Sequence, residues 1–451
     1  MGPPTPADPA EAASASGSTL ARATFLGARA DVVTAISAVV LSILVARGLG
    51  PENRGIFFLA FLVATLVVIA GDLGMSAATV AYASNRRMSA GRLQGIALAF
   101  GIGATCVAAC ALLPFQAFWT ADILRGLDRT MLLMLVAGVG PQLFGQMSAS
   151  LLIGAGLIPA LSWMKIAYAI ATPFLVGVAA IATGDPAWTL AGWLAATVGY
   201  AAMLLTYIAR TLEPPRLPSR GDLHQVFGFG LRGYLGTVAH HGFLRIDVFF
   251  LNSRLGPATV GIYSLSSLIA ERISLLGQAV YGASAAPLGS LPRDEAGRLA
   301  ADLVRLLLTV LVPAAVVIGA LAFPMIPLVF GADFADAALP LALLLPGTVA
   351  LTCWSVVSLY IITTLQRPGT TTLIQGAVLI VSLPLYFLAV REEGMIGAAV
   401  VSSGLYLTVF LLGIAVLLAN STVSIPELRP RRTDVARVWA FARGAVRGSH
   451  V

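Results

Sequence analysis

Charge is scarce in this chain, and the scarcity decides its solvent. Only 11% of the 451 residues are charged, against 58% apolar, whereas a soluble domain carries roughly a quarter charged residues. That balance excludes a water-soluble globule and points to lipid. Lysine is almost missing: Lys165 stands alone, so the net charge of +7 rests on arginine. Without a soluble domain to carry it, that charge reads first as a topology signal, and no nucleic-acid partner is expected. Cysteine is rare as well. Cys106, Cys110 and Cys353 all lie inside apolar runs, which reads as core packing and offers no metal set. The chain has no Gly-rich phosphate loop, no metal-ligand spacing and no nucleophile triad. No metal, no cofactor and no catalytic residue is expected, and the chain does not read as an enzyme. Residues 1–20 lack the basic start of a signal peptide and are rich in Pro, Ala and Ser, so they read as a disordered tail.

What is present is long apolar sequence. Helices and closed barrels alone satisfy their backbone in lipid. Runs of about 20 apolar residues fit helices and exclude the shorter alternating strands of a barrel. Twelve spans are predicted. The first half gives 29–47, 56–81, 93–114, 130–153, 160–182 and 187–209; the second gives 225–251, 259–283, 303–323, 338–365, 370–390 and 394–419. The polar, proline-rich stretch from Glu213 to Arg220 separates the halves. The expected organisation is a tail (1–20), a first lobe of helices 1–6 (21–210), a cytoplasmic linker (211–224), a second lobe of helices 7–12 (225–420) and a basic cytoplasmic tail (421–451).

Orientation follows from arginine. Arg86, Arg87, Arg92, Arg210, Arg216, Arg220, Arg293, Arg298, Arg367 and the stretch from Arg429 to Arg447 fall on one side. The arginines opposite, among them Arg47, Arg54, Arg125 and Arg129, are diluted by acidic residues. The positive-inside rule then places both termini in the cytoplasm of a cell inner membrane. The stretch 433–447 mixes Trp439 and Phe441 with Arg437, Arg443 and Arg447. It suits either an amphipathic helix on anionic lipid or a solvated basic tail.

One motif is written twice. Leu49-Gly50-Pro51 followed by Gly55-Ile56-Phe57 returns as Leu255-Gly256-Pro257 followed by Gly261-Ile262-Tyr263, at an offset of 256 − 50 = 206 residues. Each copy joins two long apolar segments. A duplicated hairpin in such a chain implies two homologous, parallel helix bundles, an architecture of transporters.

Charges inside spans are costly, about 2.5–3.5 kcal/mol at the bilayer centre, and usually face water or a partner. Glu271 lies in the eighth span on a stripe with Ser264, Ser267, Ser274, Gln278 and Tyr281, whose spacing of three and four keeps one helix face. The stripe reads as a wet cavity wall or as an interhelical hydrogen-bond seam. Arg272 points about 100° away from Glu271 and is a candidate phosphate ligand. In the seventh span His241 and Arg245 share a face, as do His240 and Asp247. An arginine fork with a histidine suits a diphosphate, and an interfacial Arg245–Asp247 contact is the rival reading. Arg29 and Asp31 open the first span. Asp72, flanked by Gly71 and Gly74 in the second span, is a candidate ion-coupling carboxylate or a plain hydrogen-bond acceptor. Candidate substrate ligands are therefore Arg245, His241, Arg272, Gln278 and Arg29, and candidate ion-coupling residues Glu271, Asp72, Asp247 and Asp31.

The hairpin Leu-Gly-Pro-x-x-x-Gly-Ile-Phe/Tyr after the first and seventh spans, together with Phe330-Gly331-Ala332-Asp333-Phe334 after the ninth, resembles the polysaccharide flippases of O-antigen and teichoic-acid type. These belong to the superfamily of multidrug, oligosaccharidyl-lipid and polysaccharide exporters. The likeness covers residues 21–420. It implies an all-α membrane protein of about twelve transmembrane helices, in two pseudo-symmetric six-helix lobes around a central cavity. It further implies alternating access and a lipid-linked (polyprenyl-diphosphate) oligosaccharide as substrate, for cell-surface polysaccharide biosynthesis. A polysaccharide polymerase and glycosyltransferases would be neighbouring partners, beside membrane lipid. An ion-coupled multidrug or cation antiporter of the same fold is the alternative, although Arg245 and Arg272 favour an anionic ligand. A membrane-embedded polymerase or glycosyltransferase would need a large catalytic loop or an acidic metal motif, which the sequence does not supply.

Overall fold

The computed structural model describes residues 9–429 together with 431 and 434. Residues 1–8 of the expected tail lie outside the described residues, as does the 433–447 stretch apart from Asp434; residues 9–20 are helical and run on into the first helix. About 88% of the structure is helix, and no strand occurs among the described residues. The helices are α1 (Pro9–Asp72), α2 (Met75–Ser84), α3 (Ala90–Leu112), α4 (Gln116–Ala121), α5 (Arg129–Gly154), α6 (Ile158–Thr183), α7 (Pro186–Thr211), α8 (Arg220–Leu255), α9 (Pro257–Glu271), α10 (Ser274–Ser290), α11 (Arg293–Phe330), α12 (Ala338–Thr363) and α13 (Pro368–Ala419). Among the described residues eight helices are long and apolar enough to cross a membrane. Two of these are double: α1 is non-helical at Gly50 and α13 at Gly394. Adding α8, which is less apolar, and α9 with α10, each too short to cross alone, gives the twelve crossings read from the sequence. The protein is a multi-pass membrane protein.

The chain forms two compact units that interleave in sequence. The first comprises Met1–Leu49, Ala60–Gln116 and Asp128–Arg232, the second Gly50–Leu59, Ala117–Leu127 and Gly233–Val451. In the first unit interfacial carboxylates set helix starts. Asp128 accepts from the Met131 N–H at 2.7 Å and Asp185 from the Ala187 N–H at 2.7 Å, satisfying donors that a helix leaves open. The stretch between the halves is docked, because the Arg216 N–H donates to the Gly91 carbonyl at 2.8 Å. Asp222 and Ser219 then cap α8 reciprocally, with Ser219 N–H to Oδ2 at 2.9 Å and Asp222 N–H to Oγ at 3.1 Å. The Ser219 backbone N–H, followed by its hydroxyl, holds the Asp222 carboxyl below the usual carboxylate range.

In the second unit the duplicated motif crosses itself. Gly50 and Gly256 take the same conformation (φ 69°, ψ 179° and φ 83°, ψ 179°), which an L side chain resists. Gly55 and Gly261 then bring the two helices together. A Cβ on Gly55 would lie 1.8 Å from the Pro257 carbonyl oxygen, and one on Gly261 would lie 1.9 Å from that of Pro51. Such reciprocity is the small-residue crossing of helices in lipid. The copies differ at Arg54, whose counterpart at the 206-residue offset is Val260. Arg54 is 3% exposed, not the outer-loop charge that its position suggested. It donates to the Gly261 carbonyl and, at 2.7 Å, to the Ser264 hydroxyl. Its guanidinium lies 5.7 Å from the ring centre of Phe334, a cation–π distance. The Phe-Gly-Ala-Asp-Phe motif thus covers the arginine of the first hairpin.

The segment after α13 is also held. Arg305 of α11, buried, pairs with Asp434 at 2.9 Å and with Asp302 at 2.9 Å, and donates to the Glu427 carbonyl at 2.9 Å. Cys353 lies in the core as expected, but Cys106 and Cys110 are exposed, because α3 buries a different stripe.

Candidate functional site

Two of the predicted spans are interrupted, and each interruption follows a carboxylate. The second span breaks at Leu73 (φ 47°) and Gly74 (φ 75°), directly after Asp72 ends α1. The eighth tightens after Glu271 ends α9. There the N–H groups of Arg272, Ile273 and Leu275 bond three residues back, to Ile269, Ala270 and Arg272, a 3₁₀ geometry that often marks a hinge. These are corresponding helices of the two halves, and interrupted spans in corresponding positions point to a binding site in transporters.

In the second unit the Glu271 carboxylate faces α8. Arg245 meets it with both terminal nitrogens, at 2.7 and 2.8 Å, the paired fork that guanidinium makes with a carboxylate. The pair is partly open, with 24% of the Arg245 side chain and 42% of the Glu271 side chain exposed. The rival Arg245–Asp247 contact is therefore replaced by Arg245–Glu271. On the same helix the His241 ring lies 2.9 Å from the Thr237 carbonyl, and His240 lies 2.9 Å from Gln375. Arg272 follows at the hinge, its Nε buried without a hydrogen-bond partner. An orphaned guanidine N–H is costly and calls for an acceptor.

Asp247 belongs to a second, closed network. It is 3% exposed, and its Oδ2 accepts from the Tyr263 hydroxyl at 2.8 Å and from Ser402 at 3.3 Å. Oδ1 accepts from the Val248 N–H at 2.8 Å. Tyr386 reaches Ser402 at 2.9 Å, so the segments on either side of Gly394 both join. Sequence reasoning missed Tyr263, Tyr386 and Ser402. A signal existed for the first: the repeat places Tyr263 where the other copy has Phe57, which adds one hydroxyl to an otherwise apolar position.

The other candidates separate. Asp72 accepts from the Ser76 N–H at 3.2 Å and from its hydroxyl, so it caps α2; Gln146 reaches the same hydroxyl at 3.3 Å. Asp31 lies 3.9 Å from Lys165, and both are well exposed; Arg29, two residues before Asp31 on α1, is exposed too. The Ser264-to-Tyr281 stripe is not one wet wall. Ser264 and Ser267 are buried, Ser274 turns back to the Glu271 carbonyl at 2.6 Å, and Gln278 and Tyr281 are exposed beyond the hinge.

Residues 44–339, well over half the chain, match the family described as polysaccharide biosynthesis protein. The chain belongs to that family. No curated protein matches it. Among solved structures it resembles the lipid II flippase MurJ in an inward closed conformation, with a TM-score of 0.70 and 14% identity over 90% of this chain and 89% of that one. It also resembles a mutant of the Vibrio cholerae MATE transporter VcmN (TM-score 0.61, 13% identity, 90% and 97% covered). A multidrug resistance MATE family transporter of the MOP superfamily, outward-facing, follows (TM-score 0.58, 18% identity, 87% and 96% covered). At these identities the likeness establishes a shared fold.

Proposed function

We propose that this protein carries a lipid-linked, polyprenyl-diphosphate oligosaccharide across the cytoplasmic membrane by alternating access, for surface polysaccharide biosynthesis. The observation that carries the reading is the Arg245–Glu271 fork at the α9–α10 hinge, with Arg272 beside it holding an unmet donor. Two cations at an interrupted span favour an anionic headgroup over the cationic drugs of an antiporter. Family membership supports the pathway, and the fold shared with a protein named as a lipid II flippase supports the cargo class. In this reading Arg245, His241 and Arg272 attend the diphosphate. Asp247 and Glu271 carry the coupling charge, and the protein moves its cargo without chemical change to it. Gln278, in the same unit, is kept as a further headgroup contact; Arg29 as a substrate ligand and Asp72 and Asp31 as coupling carboxylates remain candidates of the first unit by itself. Polymerase and glycosyltransferase partners would act on either side of the step.

Deleting the gene should leave the lipid-linked oligosaccharide on the inner leaflet and strip the surface polymer. Normal polymer with no lipid-linked precursor building up would refute the assignment. Both termini are placed in the cytoplasm. With Cys106 and Cys110 replaced, Arg87→Cys and Arg129→Cys should label from opposite sides with an impermeant thiol reagent, and labelling from one side would reverse that orientation.

A further inference from the structure

We propose that Glu271 is a built-in competitor of the substrate: it occupies the Arg245 fork until a diphosphate displaces it, and takes up a proton when it leaves. The inference rests on the diphosphate reading above. Both terminal nitrogens of Arg245 are spent on both oxygens of Glu271. A phosphate presents the same pair of acceptors to the same planar fork. The two ligands therefore exclude one another at this guanidinium. Glu271 is the more open partner, and it ends a helix at a hinge, so it is the group that can withdraw.

Charge counting gives the proton. The ionisable groups that act on this pair are Asp247 on α8, and Tyr406 on α13; Tyr263 on α9 and Tyr386 on α13 surround Asp247. Asp247, satisfied by its own hydroxyl network, acts on Arg245 only through its charge. An anionic diphosphate on Arg245 leaves the released Glu271 without its guanidinium and next to added negative charge, where a carboxylate is held neutral most readily by a proton from solvent.

The test is binding of farnesyl diphosphate to the purified full chain by calorimetry, with farnesol as the uncharged control. Glu271→Gln should bind up to about fivefold more tightly than wild type at pH 8, the change expected when a partly exposed ion pair no longer competes. Wild-type affinity should fall with rising pH more steeply than that of Glu271→Gln, by up to about tenfold per pH unit. Comparing the two proteins at each pH cancels the titration of the ligand itself. Arg245→Ala should lose binding. If Glu271→Gln folds poorly, Glu271→Ala replaces it, and farnesyl diphosphate should raise the melting temperature of either variant more than that of wild type. Glu271→Gln binding no more tightly than wild type, while Arg245→Ala loses binding, would overturn the competition and leave the flippase reading standing. Equal binding of farnesol and farnesyl diphosphate by wild type would overturn both.

Discussion

Gly261→Val should remove the folded protein from the membrane, and Gly55→Val should do the same. A valine Cβ at either position lies inside the backbone of the opposite hairpin, 1.9 Å from Pro51 oxygen or 1.8 Å from Pro257 oxygen. Backbone atoms cannot rotate away as a side chain can, so the crossing must open. Opening it strips Arg54 of the Gly261 carbonyl and the Ser264 hydroxyl and leaves a buried guanidinium unpaired. The combined cost is more than about 4 kcal/mol, at the extreme of single substitutions. Gly282 supplies the control, because a Cβ there meets no atom within 4 Å. Membrane abundance and size-exclusion profile should be normal for Gly282→Val and lost for the other two. Comparable yields of all three would mean that the hairpins need not touch.

Asp247→Asn should keep the fold and abolish gradient-driven transport. Its neighbours are hydroxyls, Tyr263 and Ser402, which can turn to accept from an amide as readily as donate to a carboxylate. The substitution therefore removes ionisation without orphaning the network. Asp247→Ala is different: it leaves those hydroxyls and the Val248 N–H unmatched, at about 1–3 kcal/mol for each lost partner, and should lower the melting temperature. If Asp247 is the coupling carboxylate, vesicles bearing Asp247→Asn move cargo at one rate with or without an imposed proton or sodium gradient, while wild type accelerates severalfold. A variant that responds to the gradient as wild type does would assign Asp247 to structure alone.

The helices and their order were legible because lipid leaves the backbone no alternative, and because apolar run length measures the bilayer directly. Interruptions were harder to read. Pro141, Pro173, Pro313, Pro346 and Pro384 all sit inside continuous helices, whereas the breaks fall at Gly50, Leu73–Gly74, Gly394 and the proline-free turn at Arg272. In a membrane bundle neighbouring helices and Ser or Thr side chains compensate for a proline, and it marks a break poorly. Residue pairing across helices was legible in part. Helical spacing put Arg245 beside His241, but its partner Glu271 comes from another helix, and no periodicity within α8 names it. Arg54 shows the same limit: its place near a span end suggested a topology charge, and only the reciprocal glycines draw it under Phe334.

The most direct measurement is flipping itself, in vesicles that hold the purified protein and a fluorescent polyprenyl-diphosphate oligosaccharide. Quenching from outside reports how fast the inner pool becomes reachable. The inner pool should be lost with wild-type protein and retained with Arg245→Ala at equal protein density. A polyprenol bearing the same label without the diphosphate should gain nothing from the protein. Equal rates for wild type and empty vesicles, or transport of a cationic dye in place of the diphosphate lipid, would contradict the flippase reading.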